Sequence, residues 1–232
     1  EEKSHEDAIR LLDRAIALDS GLGEAVLARG VSEMHLKNYD ASATQIRQAL
    51  KINPDWPQAW WMLATVQRLQ KHPEESLDAL SEAVRLNPEF TEARYDRACL
   101  HQEAGRVSLA LTDLDQLLQY QPDHQDGLLR RGILHRQIGD AESARRDLSK
   151  AIRLNRNCAS AWFERGKIYN EINDSVRALA DVTVACRISP DDFAIRQLRA
   201  ELFCTLGRHA EAGEEFCRLA KLQSSSPSPW LL

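Results

Sequence analysis

A proline spacing of 34 residues constrains the fold of this chain more than any other feature of its sequence. Four prolines keep that interval or its double: Pro54, Pro88, Pro122 and Pro190. Arg156 stands where one further proline would fall, and Trp60 and Trp162 lie three intervals apart. Self-similarity at a fixed interval of roughly 20 to 50 residues indicates a repeat architecture. We therefore divide the 232 residues into a half repeat, 1–22, and six repeats: 23–56, 57–90, 91–124, 125–158, 159–192 and 193–226.

Each repeat has the pattern of two helices. Apolar and small residues recur at spacings of three and four, and no stretch shows the strict alternation of a strand. A break falls in the middle of the repeat, as at Gly139-Asp140, and a second break precedes the proline. Glycine ends helices and aspartate caps the next one, while Pro73 suits a first helical position. The sequence predicts two antiparallel helices per repeat.

Columns of small residues predict how these helices pack. The first helices share one such column: Gly30, Ala64, Ala98, Gly132, Gly166 and Ala200. The second helices share another: Ser42, Ser76, Ala110, Ala144, Ala178 and Ala212. A third column, in the second helices, is apolar: Leu12, Ile46, Leu80, Leu114, Leu148, Val182 and Phe216. Small residues on both partners allow a close approach, and repeats this short must stack to bury their apolar faces.

This pattern resembles the tetratricopeptide repeat (TPR) family. Two repeats carry the family's residues best: Trp60, Leu63, Ala64, Ala83 and Pro88, then Trp162, Gly166, Tyr169, Ala178, Ala185 and Pro190. Arg94 and Arg196 depart from it at the tryptophan position. The resemblance implies an all-α, right-handed α-solenoid of antiparallel helix pairs over residues 1–222. Residues 223–232 would be a C-terminal tail, flexible or docked on a partner.

Composition and motifs exclude several functions. A net charge of −5 gives no global attraction to nucleic acid, and no apolar run approaches the about 18 residues of a membrane span. The acidic N-terminal residues do not resemble a signal peptide, and five cysteines without a CxxC pair fit reduced thiols in the cytoplasm. No phosphate-binding loop, nucleophile elbow or HExxH motif is present. We expect no enzyme activity, no metal and no cofactor.

Two charged columns accompany the repeat. Four arginines are each followed sixteen residues later by an acid: Arg97 and Asp113, Arg131 and Asp147, Arg165 and Asp181, Arg199 and Glu215. Arg29 has Gln45 at that spacing and is expected to have no acidic partner. One interpretation is an ion relay or a phosphate ladder. A matched acid for every base favours a structural ion pair between the two helices of a repeat.

Other reactive side chains occupy core columns. His101 and His135, one interval apart, could form a metal site, but both stand where the family has a tyrosine, which favours partly buried core histidines. Cys186 lies in an otherwise apolar column and is expected in the core.

The resemblance to TPR proteins supplies a candidate binding surface, because their first helices line a concave groove. Twelve residues form the predicted groove: Leu27, Val31, Trp61, Thr65, Arg68, Tyr95, Cys99, Leu129, Ile133, Arg136, Phe163 and Lys167. Exposed aromatic residues beyond those needed for stacking mark binding surfaces. The alternative is that these rings pack between neighbouring first helices. The expected partner is an extended or helical protein segment.

Two other functions stay open at this point. The repeat array could be the substrate-recruiting arm of a larger enzyme. RNA binding is less favoured, because the arginines of residues 130–156 are interleaved with acids. The half repeat at one end and the uncapped last repeat predict end-to-end self-association or fraying.

Overall fold

The structure, a computed structural model, describes residues 2–225, with side chains described from residue 3 to residue 223. Within that range every regular element is an α-helix. In chain order they are α1 (Glu2–Leu18), α2 (Gly23–His35), α3 (Tyr39–Ile52), α4 (Pro57–Leu69), α5 (Pro73–Leu86), α6 (Thr91–Glu103), α7 (Val107–Tyr120), α8 (Gln125–Gln137), α9 (Ala141–Leu154), α10 (Ala159–Glu171), α11 (Ser175–Ile188), α12 (Phe193–Thr205) and α13 (His209–Ser225). The prediction of an all-α fold is confirmed.

The helix starts follow the 34-residue interval. First helices begin at residues 23, 57, 91, 125, 159 and 193, which are also the first residues of the six repeats. Second helices begin at residues 39, 73, 107, 141, 175 and 209. The helix α1 packs on α2 and stands in the place of a second helix without a first. The predicted period is therefore the period of the helix pairs.

The turn inside each repeat depends on one residue with a left-handed backbone. Three of these residues are glycines with φ of 71° to 84°: Gly105, Gly139 and Gly207. Lys37, Lys71 and Asn173 hold the same place with φ of 59° to 64°. After Gly139, the Asp140 carboxylate accepts a hydrogen bond from the backbone N–H of Ser143 at 3.0 Å and so caps α9. The turn therefore tolerates lysine where glycine or asparagine would be the usual residue.

The helices form two compact units, and the boundary follows Gln121. In the first unit α2 packs with α3, α4 with α5 and α6 with α7, while α3 also packs on α4 and α5 on α6. In the second unit α8 packs with α9, α10 with α11 and α12 with α13, while α9 also packs on α10 and α11 on α12. Each unit thus stacks helix pairs on their neighbours. One array through residue 222 would span both units and stays a prediction.

Close helix crossings explain the glycines of the small column. A Cβ added at Gly132 would lie 2.8 Å from Leu148 Cγ and 3.3 Å from the Ala144 carbonyl oxygen. Gly30 and Gly166 meet Ile46 and Val182 in the same way, at 2.9 Å and 2.7 Å. The apolar column of the second helix therefore presses directly on the backbone of the first, as the small residues predicted.

The last helix differs from expectation in two respects. Residues 223–225, predicted to begin the tail, continue α13, because no residue before Pro227 breaks a helix. Phe216, predicted to continue the apolar column, is 47% exposed. Within the described residues α13 packs on α12 and is followed by no further repeat to cover its outer face. The remainder of the predicted tail, 226–232, lies outside the described residues.

We predict that Gly132→Ala lowers the free energy of unfolding by a net amount of about 1 kcal/mol. Overpacking a tight core costs about 1–3 kcal/mol, which exceeds the gain of about 1 kcal/mol for alanine over glycine inside a helix. The matched control is Gly213→Ala in α13, where an added Cβ meets no atom within 4 Å, so that variant should gain stability. Urea denaturation measures both, and equal stabilisation by the two substitutions would contradict the close crossing.

Candidate partner-binding surface

Buried ion pairs join the two helices of most repeats. The Asp113 carboxylate accepts from Arg97 Nε at 2.8 Å and from Arg97 Nη2 at 2.6 Å. Arg131 and Asp147 pair at 2.7 and 2.8 Å, Arg165 and Asp181 at 2.7 and 2.9 Å, and Arg199 and Glu215 at 2.6 Å. All four acids are buried. The predicted pairs are confirmed, and two-pronged contacts to buried carboxylates are structural.

The arginines also reach the second helix of the preceding repeat. Arg165 Nη1 donates to Ser149 Oγ at 3.0 Å, and its guanidinium carbon lies 5.0 Å from the Trp162 ring centroid. The hydrogen bond to Asp181 raises the pKa of Arg165, so this group stays charged. Arg29, expected to have no acidic partner, bonds Asp13 at 2.6 Å. That expectation was wrong because it considered only the following helix, whereas Asp13 lies on the preceding one.

Repeat 57–90 contains Leu63 and Ala79 where repeat 159–192 has Arg165 and Asp181. We therefore test the pair by substituting the repeat 57–90 residues into repeat 159–192, as Arg165→Leu and Asp181→Ala. Each single variant should lose about 3 kcal/mol of unfolding free energy, because a buried charge is left without its partner. The double variant should lose much less than the sum. Urea denaturation of all four proteins checks this, and additive losses would mean that the two side chains do not interact.

In the first unit, the predicted groove residue Trp61 is held by the neighbouring first helix. Its indole N–H donates to Asp96 Oδ2 at 2.7 Å, from α4 to α6. Its ring meets the Phe90 ring edge-on, with centroids 5.7 Å apart. Arg68 Nη1 lies 4.0 Å from the other Asp96 oxygen. Trp61 is therefore partly exposed and partly packed between first helices, which combines the two interpretations of the stripe.

The second unit has the same ion pair between first helices, but Leu129 stands at the place of Trp61, and the aromatic residue near the pair is Phe163. Arg136 of α8 bonds Glu164 of α10 at 3.1 Å, across the same 28-residue separation that relates Arg68 to Asp96. Lys167 Nζ lies 4.7 Å from the Phe163 ring centroid and 2.5 Å from Glu164 Oε1. Arg136 also reaches Glu171 at 2.7 Å. Both units therefore have an ion pair between adjacent first helices. Its acid bonds Trp61 directly in the first unit, and in the second unit its acid bonds Lys167, which lies against Phe163.

The other predicted groove residues divide by exposure. Leu27 and Cys99 are only 7% and 5% exposed and belong to the core, because each lies where its helix meets its neighbours. The remaining members are exposed or half-buried: Val31, Thr65, Arg68, Tyr95, Leu129, Ile133, Arg136 and Lys167. Leu129 packs against the buried cluster of Ala144, Leu148 and Ile168. The surface available to a partner is thus narrower than the predicted set.

The cysteines and histidines in the described part of the chain are not gathered into a set of metal ligands. No three His, Cys, Asp or Glu side chains there come together as a metal site would require. Cys186 is buried in the core, as predicted, while Cys204 and Cys217 are exposed. Burial lowers the pKa of His101, with smaller effects of Arg97 and Arg106 in the same direction opposed by Asp113. His101 is therefore a half-buried neutral imidazole.

We predict that His101 makes the protein less stable in mild acid. Because the folded-state pKa is lowered from 6.5, the unfolded chain binds the proton first, so stability present above about pH 6.5 is lost as the pH falls below it. Gln67 holds the position of His101 in the preceding repeat, so the His101→Gln variant should fold. Between pH 7.5 and pH 5.5 its Tm should fall less than the Tm of the parent. The control is His209→Gln at an exposed position. Equal losses of Tm in both variants would contradict a role for His101.

Two cavities outside the predicted stripe were missed by the sequence interpretation. The first, about 580 Å³, lies among α3, α4 and α5 and has Leu50, Trp60, Leu63 and Ala79 on its walls. The second, about 550 Å³, lies on α8 and α9 and is lined by basic residues: Arg131, Arg145, Arg146, Lys150 and Arg153. The signal for the first was visible in the sequence, since Leu63 and Ala79 interrupt the arginine and acid columns.

A model of the tetratricopeptide repeat matches the chain at residues 3–57, 27–89, 95–148 and 129–193. The chain therefore belongs to the tetratricopeptide repeat family. No protein in the curated set matches its sequence.

Several solved structures share the fold of this chain. The TPR protein YrrB, described as having an unusual peptide-binding site, is 16% identical with a TM-score of 0.71, over 79% of this chain and 95% of that one. PilF of Pseudomonas aeruginosa is 19% identical with a TM-score of 0.75, over 90% and 94%. A TPR protein from Parabacteroides merdae is 21% identical with a TM-score of 0.73, over 86% and 79%. At these identities the likeness concerns the fold. None of the helices within residues 2–225 is both long and apolar enough to cross a membrane.

Proposed function

We propose that this protein is a non-catalytic scaffold that binds a peptide or helix of a partner protein on its first helices. The observation that carries the proposal is a half-buried aromatic residue connected to an ion pair between adjacent first helices, found in both units. Trp61 bonds Asp96 of the pair with Arg68, and Phe163 lies against Lys167, which bonds Glu164 of the pair with Arg136. The peptide-binding site in the description of YrrB is consistent with such a use of the fold.

The chemistry of the surface fits a peptide. Ile133, Leu129 and Phe163 offer apolar contacts that are only partly used by the core. The ion pair of Arg136 with Glu164 supplies charges of both signs, which can hydrogen-bond backbone amides or side chains at the rim. A ring already held by its neighbours loses little conformational entropy when a partner covers it.

The rim ion pairs also set the specificity of this surface. Arg136 is shared between Glu164 and Glu171, so a ligand carboxylate must compete with two acids for it. Lys167 is likewise held by Glu164. We therefore expect the partner segment to be mainly apolar, with hydrogen-bonding groups rather than a strong negative charge.

We predict that Phe163→Ala and Ile133→Asp weaken peptide binding by about thirtyfold or more, since a buried anchor is worth about 2 kcal/mol. Peptides are first selected from a displayed random library on the parent chain. Their affinities for the variants are then measured by titration calorimetry. Trp61→Ala is a poorer test, because loss of its contacts to Asp96 and Phe90 should also lower Tm.

The matched control is Val176→Asp on α11, a branched aliphatic residue that is 69% exposed on a second helix. It should bind the selected peptides as the parent does. If Phe163→Ala and Ile133→Asp keep the parent affinity while circular dichroism and Tm show them folded, the first helices are not the binding surface.

RNA binding is a second candidate, favoured by the basic character of repeat 125–158. That repeat has eight lysines and arginines against four acids, in a chain of net charge −5. However, Arg131, Arg136 and Arg145 each already bond a carboxylate. Binding of a labelled single-stranded RNA that falls steeply with salt would favour this candidate, and peptide binding would depend on salt much less.

The remaining expectations stay proposals. They are a cytoplasmic location, end-to-end self-association, and a role as the recruiting arm of a larger enzyme. The exposed apolar residues Leu11 and Leu18 on α1 are consistent with an unfilled contact at that end.

A further inference from the structure

The cavity among α3, α4 and α5 is here called the α4 pocket. It lies in repeat 57–90, which has neither the arginine nor the acid of the ion pair. Leu63 and Ala79 replace the pair there, and Trp60 stands at one side of the resulting space. The volume of about 580 Å³ falls within the range of sites that hold small ligands or side chains. Its position on the second-helix side separates it from the first-helix surface of the proposed function.

Repeat 159–192 shows what normally fills this place. Trp162 corresponds to Trp60, and the Arg165 guanidinium lies 5.0 Å from its ring centroid. Asp181 and Ser149 hold that guanidinium, and they correspond to Ala79 and Arg47. In repeat 159–192 a flat group thus lies against the tryptophan ring, whereas repeat 57–90 supplies no such group at the α4 pocket.

The walls of the α4 pocket select an uncharged, largely apolar occupant. Leu50, Leu63 and Ala79 give it apolar walls. Its rim has both signs of charge, with Arg47 and Lys51 on α3 facing acids on α5, and Arg47 lies 3.6 Å from Glu75. A charged ligand would meet a like charge on one side of this rim, whereas an uncharged one would not.

We propose that the α4 pocket binds the segment Pro227–Leu232 of a second copy of this chain, with the Trp230 side chain against Trp60. Residues 223–232 contain no charged side chain and include Trp230, Leu231 and Leu232 in succession. An indole is flat and apolar, like the face of the guanidinium it would replace, and aromatic pairs add to burial of area. Pro227 and Pro229 restrict the backbone and so reduce the entropy lost on binding.

We assign the segment to a second copy, because a contact between copies requires nothing of how the two units of one chain are arranged. Exchange of the segment in both directions would close a symmetric dimer with two such contacts.

The test compares the parent with two full-length variants by analytical ultracentrifugation over a range of concentrations. Trp230→Ala removes the anchor. Arg47→Ser with Leu63→Arg and Ala79→Asp fills the α4 pocket with the residues of repeat 159–192. We expect the parent to dimerise and each variant to dimerise at least about tenfold more weakly. A synthetic peptide of residues 223–232 should bind the Trp230→Ala chain, and the same peptide with Trp230→Ala should bind at least about tenfold more weakly.

A crosslinking measurement keeps the test independent of whether the pocket-filling variant folds. The full chain is made with benzoylphenylalanine in place of Trp230, and heavy-isotope and light copies are mixed and irradiated. Crosslinks from one copy to α3, to α5, or to Trp60, Leu63 or Gln67 of α4 in the other copy support the proposal. Crosslinks within one copy, to the first-helix surface at Trp61 or Phe163, or to α13 would overturn it, as would a parent that stays monomeric throughout. The supporting crosslinks therefore lie apart from the peptide-binding surface of the proposed function.

Discussion

The close crossing of the two helices in each repeat is the contact on which the rest of the structure depends. At Gly132 and Gly166 the neighbouring side chain rests on the helix backbone itself, so the pair can adopt one spacing. That spacing puts Arg165 opposite Asp181 and leaves room for its guanidinium near the rings of Trp162 and Tyr169. The ion pairs are therefore a consequence of the crossing, and they in turn occupy the second-helix side of the repeats that contain them.

Much of this could be predicted because it is periodic. A repeated small residue marks a repeated crossing, and a base followed by an acid at a constant separation, as with Arg97 and Asp113, must meet if the helices form a hairpin. Local rules also sufficed for helix starts such as Pro73 and for the cap at Asp140. Such features depend on residues within one repeat, where the geometry is fixed by a short connection.

Contacts between repeats were harder to predict, since they depend on how one hairpin rests on the next. The partner of Arg29 is Asp13 on the preceding helix, and the ion pair of Arg136 with Glu164 joins successive first helices. The burial of Leu27 and Cys99 has the same origin, because a stripe on one helix is partly covered by its neighbours. A family pattern assigns a residue to a face, but the depth of burial follows from the neighbouring side chains.

The two kinds of charge in this chain have different consequences for binding. The acids of the hairpin pairs are buried, so a ligand would have to desolvate and replace a complete two-pronged contact to use them. Arg68 near Trp61 is more exposed and lies 4.0 Å from Asp96, so its charge can turn toward a partner at small cost. Arg136 and Glu164 are about as buried as Arg131 and Asp147, and the more exposed acid there is Glu171. Exposed members of an ion pair can therefore serve a binding surface, whereas the buried pairs form the frame that supports it. Where the buried pair is replaced by Leu63 and Ala79, the frame itself becomes a place to bind.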